Sequence, residues 1–114
     1  MALKYNLSKV YALSDDNFEY VQQMVHTFAI EVTEDLKKIK EGIDNKNHQQ
    51  TYTYAHKIKP SLDLMGLHLA FEEMLQVEAW TKVHGRKKDI IETFKSVKKR
   101  IKEAVKEIKK DFDL

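Results

Sequence analysis

Cysteine is absent from this 114-residue chain. That excludes disulfides, thiolate metal sites and thiol nucleophiles together, and it suits a reducing cytoplasm, the compartment expected here. Breakers are scarce as well, with only 3 glycines and 1 proline. So few cannot form the many tight turns of an all-β fold, which leaves helices as the default. No apolar run approaches the length of a bilayer span, so no membrane partner is expected. The opening Met1-Ala2-Leu3-Lys4-Tyr5-Asn6 has no continuous apolar stretch, so no secretory signal is expected either.

What the chain does contain is 42% hydrophobic and 33% charged residues, the balance of a globular domain. Its length suits one core and leaves little for a second, so residues 1–114 are expected to form a single domain. The net charge of +2 is unevenly spread. Between Arg86 and Lys110 there are 11 Lys or Arg against 4 Asp or Glu, whereas residues 1–85 carry 9 against 12.

Periodicity divides the chain into four long amphipathic stretches behind a short segment, Leu7 to Leu13, that can close one end of a core. Asp15 and Asp16 are helix-start residues, and Asp16 with Glu19 forms a capping box. From there Phe18, Val21, Val25, Phe28, Val32, Leu36 and Ile39 recur at steps of three and four, one stripe of a helix that Gly42 ends. Asp44 or Asn45 can cap the second long helix, which runs from about Lys46 towards Met65 with Thr51, Ala55, Ile58, Leu62 and Met65 inward. Gly66 interrupts it. A third helix carries Leu67, Ala70, Phe71, Met74, Leu75 and Val77 until Gly85, with Trp80 half buried and its N–H in water. A fourth runs from about Lys87 to Lys110 with Ile90, Phe94, Val97, Ile101, Ala104, Val105 and Ile108 as its stripe. Such stripes with short connections pack most simply as an all-α, antiparallel up-down four-helix bundle with a short N-terminal helical segment.

A bundle does no chemistry until a polar group is presented on it. With Ala55, Ile58 and Leu62 facing inward, the helical turn of 100° per residue aims His56 about 160° away from Ile58, into water. Lys59 lies one turn on, and Tyr52 and Asp63 share that side. A neutral imidazole is a competent nucleophile near neutral pH. Once phosphorylated it carries concentrated negative charge, which a lysine three residues on can neutralise. His26, His48, His68 and His84 show no i, i+4 pair and no acidic residue at ligand spacing, so no metal site is expected.

The run Ala55-His56-Lys57-Ile58-Lys59, followed after six residues by Gly66, resembles the signature of histidine-containing phosphotransfer domains. The later Leu75-Gln76-Val77-Glu78 is similar to that family's next helix, including its acidic residue. The resemblance implies that His56 is a phosphoacceptor, that Lys59 stabilises the phosphoryl group, and that Gly66 is structural. Tyr52, Pro60 and Asp63 complete the face on which partners would dock. Those partners would be receiver domains of response regulators or hybrid histidine kinases. The chain itself would need no cofactor, the Mg²⁺ being held by the receiver. It would be a phosphoryl carrier rather than an enzyme with turnover of its own. One position departs from the family pattern: Pro60 stands where a glycine is common, and its missing N–H predicts a bend at the acceptor.

Two rival functions attach to the same bundle. One is a non-catalytic helical adaptor, from which the intact Ala55-His56 and Lys59 set argues away. The other is a nucleic-acid-binding bundle using the basic last helix, with Lys95, Lys98, Lys99, Lys102, Lys106 and Lys109. Glu92, Glu103 and Glu107 interrupt that basic stripe, and lysines in the last turn also suit the helix macrodipole, so nucleic acid is not expected.

Overall fold

A computed structural model describes residues 5–114 of the protein; residues 1–4, part of the segment read for a secretory signal, lie outside the described residues. The described chain is all-helical, with no strand: α1 spans Ser8–Leu13, α2 Phe18–Asp44, α3 His48–Leu64, α4 His68–Lys82 and α5 Lys87–Asp111. The longest, α2, has 27 residues, which at 1.5 Å rise spans about 40 Å. It thus sets the long dimension of the 43 × 25 × 20 Å molecule. Each of the four long helices packs on two others: α2 on α3 and α5, and α4 on α3 and α5, while α1 rests on α2. None of the described helices is long and apolar enough to cross a membrane.

The apolar stripes form the interior. Val21, Val25 and Ile39 of α2, Ala55, Ile58 and Leu62 of α3, Met74 and Val77 of α4, and Phe94, Val97 and Ile108 of α5 are all but inaccessible. Burying a side chain of this size contributes roughly 1.5–3 kcal/mol, so the stripes supply most of the force that closes the ring. Phe18 is a correction: it is 53% exposed, one turn before the buried part of its stripe, and stacks on Phe112 at 5.7 Å instead. Leu75, expected inward on α4, is 37% exposed. Trp80 is also corrected, being buried with its N–H donated to the carbonyl of Arg86 at 2.8 Å.

The helix starts differ from expectation for a stereochemical reason. Asp15 and Asp16 take φ of 55° and 61°, left-handed values that aspartate tolerates. They turn the chain, and Asn17 becomes the cap, accepting from the N–H of Tyr20 at 3.1 Å. Lys46, at φ 55°, likewise belongs to a turn, and Asn47 caps α3 through the N–H of Gln50 at 3.0 Å. Neither Asp44 nor Asn45 caps it. Gly42 does not end α2, which continues to Asp44. Its hydrogen is a packing requirement: a Cβ there would lie 2.4 Å from Oγ1 of Thr51 on α3.

The segment ahead of α1 is pinned to the far end of α3. Asn6 donates its N–H to the carbonyl of Met65 at 2.9 Å. Gly66 sits at φ 72° directly beneath Asn6, so it serves both the turn and the close approach.

Candidate functional site

The face of α3 that looks outward at the α3–α4 seam carries Tyr52, His56 and Lys59. His56 is exposed, its side chain 63% accessible, as the phase of the helix predicts. Its Nδ1 lies 2.9 Å from Oε2 of Glu78 on α4. Glu78 is buried, and its other oxygen, Oε1, lies 2.6 Å from Nζ of Lys59. One carboxylate thus ties two residues of α3 to α4.

This arrangement assigns the imidazole tautomer. A carboxylate paired with an ammonium can only accept, so the hydrogen of the His56–Glu78 bond sits on Nδ1. The lone pair is then on Nε2, the ring nitrogen left for a reactant. On the other flank Tyr52 stacks against the imidazole with centroids 5.5 Å apart and planes within 13°. Buried carboxylate on one side and aromatic plane on the other restrict how the ring can turn.

Lys59 is not where exposure was expected. Its side chain is only 17% accessible, held by Glu78 and lying 6.0 Å from the ring centroid of Phe71. Its methylene stem covers apolar surface at the seam, as long cationic side chains do. Asp63 is likewise drawn away from the site. It pairs with Lys9 of α1 at 3.0 Å, so it ties the N-terminal helix to α3. Pro60 is exposed, and α3 stays helical through it. Because Pro60 has no N–H, the carbonyl of His56 lacks its donor four residues on.

Glu78 is the residue that position along the chain alone does not place at the site. Its separation from His56 is 22 residues, and only the packing of α4 on α3 brings the two together. The one available signal is its place in the Leu75–Glu78 run, where an acidic residue falls on the otherwise inward side of α4. Lys57, by contrast, points to the α2 side and pairs with buried Asp35 at 3.0 Å; that bond raises the lysine pKa above its usual value.

Two other regions carry polar clusters. At the α4–α5 turn, Nε2 of His48 lies 2.9 Å from the carbonyl of Gly85, and its ring packs on Trp80 at 4.6 Å and His84 at 5.1 Å. His48, at the start of α3, therefore packs against this turn. On the α2–α5 seam, across the ring from His56, Lys37, Lys40, Lys98, Lys102, Lys106 and Lys109 line a cleft of about 750 Å³ floored by Leu36, Ile101 and Val105. Among the described residues no cluster of three or more His, Asp or Glu is placed to hold a metal.

No protein-family model matches this chain, and no curated protein or solved structure matches it either.

Proposed function

We propose that the chain is a histidine-containing phosphotransfer domain, a phosphorelay intermediate that accepts a phosphoryl group on Nε2 of His56 and passes it on. Its four long helices are read as one antiparallel up-down bundle with α1 as an added N-terminal cap. The closed ring of helix contacts and the turns of three or four residues between successive helices support this.

The observation that carries the function is the held imidazole: Nδ1 engaged by buried Glu78 and Nε2 left on the exposed side. In the forward step the Nε2 lone pair attacks the phosphorus of a receiver's aspartyl phosphate. The P–O bond to the aspartate breaks, and the carboxylate leaves with its electron pair. No proton need move, because the hydrogen remains on Nδ1. The ring becomes a cation, which the Glu78 carboxylate stabilises at hydrogen-bond distance. Reversal with a second receiver hands the group on.

Lys59 holds Glu78 in place and has further N–H donors for phosphoryl oxygens one turn away. Tyr52 and Pro60 belong to the face on which the receiver docks, and the receiver supplies its own Mg²⁺. The chain is a carrier, with no turnover of its own.

The test is incubation with a phosphorylated receiver, followed by assay for acid-labile, alkali-stable phosphate. Wild-type protein is expected to take up label and His56→Gln to take up none. Equal labelling of the two would overturn the assignment of His56.

A further inference from the structure

We propose that Lys82 is a second cation for the phosphoryl group on His56, carried on the ring of Tyr52 until that group arrives. This rests on the phosphotransfer reading and adds to it a residue that neither spacing nor resemblance points out.

The need for a second cation follows from what surrounds the first. Lys59 is bonded to Glu78 at 2.6 Å and its side chain is only 17% accessible. An ammonium and a carboxylate in contact nearly cancel at the distance of the neighbouring ring. Glu78 also binds His56 itself, so its charge is shared by both partners. A phosphoryl group on Nε2 brings close to two negative charges, and the cationic ring it creates, itself paired with Glu78, offsets at most one of them. A further positive charge within reach would lower the energy of the phosphorylated state.

Lys82 fits that description. It lies on α4 one turn beyond Glu78 and is exposed. Its Nζ sits 6.0 Å from the centroid of Tyr52, the ring that stacks on His56 at 5.5 Å. Two successive rungs therefore cross the α3–α4 seam, His56 to Glu78 and Tyr52 to Lys82. No ion pair joins Lys82 to any carboxylate among the described residues, unlike Lys59, Lys57 or Lys9. A cation resting on a partly exposed aromatic ring is held weakly, so it can leave for a dianion. Tyr52 then has a positioning role, keeping the cation beside the imidazole while the site is empty.

The phosphoryl charge itself gives the readout. Potassium phosphoramidate, a small donor that phosphorylates histidine directly, loads His56 without a receiver. The loaded protein is followed through a pH titration by ³¹P NMR. In wild type, Lys82 favours the dianion and holds the phosphoryl pKa down. Lys82→Ala should raise that pKa by on the order of half a unit, Lys82→Glu should raise it further, and Lys82→Arg should restore it. A change of packing alone would not follow the sign of the charge in this way. Transfer from one phosphorylated receiver gives a second measure, in which Lys82→Ala should lower the equilibrium phosphorylated fraction several-fold. Wild type that loads at His56, with Lys82→Ala matching it in both measurements, overturns the role of Lys82 and leaves the carrier function standing. Wild type that takes phosphate from neither donor overturns both.

Discussion

Glu78 and His56 meet at 2.9 Å across the α3–α4 seam, one buried and the other open to solvent. The buried member determines how the exposed one can react, since it decides which imidazole nitrogen keeps the hydrogen. Glu78→Gln replaces the anion with a neutral amide and removes a charge-assisted bond worth about 1.5–3 kcal/mol. Acceptance from a phosphorylated receiver should then slow on the order of ten- to a hundredfold. In ¹⁵N spectra the His56 ring should lose its single-tautomer pattern. Unchanged spectra with unchanged kinetics would show that Glu78 has no hold on the ring.

Lys59→Ala should act on folding as well as on phosphorylation, because it leaves buried Glu78 without its ammonium. The expected loss in phosphoryl acceptance is on the order of 1–2 kcal/mol, seen as a lower equilibrium phosphorylated fraction. Urea denaturation should show a separate loss of stability. In the double variant with Glu78→Gln the two stability losses should sum to more than the measured one, since both remove the same contact.

Gly42→Ala tests the seam between α2 and α3. The added methyl would meet Oγ1 of Thr51 at 2.4 Å and the Thr51 backbone nitrogen at 3.0 Å, and backbone cannot step aside as a flexible side chain can. A destabilisation of about 1–3 kcal/mol is expected, with a lower melting temperature. An unchanged melting temperature would mean that the two helices can separate slightly without penalty.

Alkaline pH should weaken the fold through Tyr5. Burial first, and then its hydrogen bond to Asp111, raise the Tyr5 hydroxyl well above its usual value of 10.0. The folded state therefore keeps this proton after the unfolded chain has lost it. The stabilisation is fully present below pH 10 and declines as pH rises above it. Tyr5→Phe should make the decline shallower, measured as urea midpoints on either side of pH 10.

The core stripes can be read from the chain because each is a local pattern, repeated over several turns and dictated by the helical period. The outward aim of His56 follows from that same period. Side-chain partners chosen across a seam are not local. Whether Lys59 serves solvent or Glu78, and whether Asp63 serves the site or Lys9, depends on which helix lies alongside. Cap positions are hard for a different reason. Asp15, Asp16, Asn17 and Lys46, Asn47 present several competent residues in a row, and the left-handed turns at Asp15, Asp16 and Lys46 decide which becomes the cap.

Trp80 is the protein's one tryptophan, and its indole is sealed into the corner where α3, α4 and the start of α5 meet. An indole shielded from water emits at shorter wavelength than one exposed to it, so the intrinsic fluorescence should shift to the red only when this corner opens. Emission wavelength therefore reports whether the helices remain docked, and it can be followed in any variant without attaching a dye.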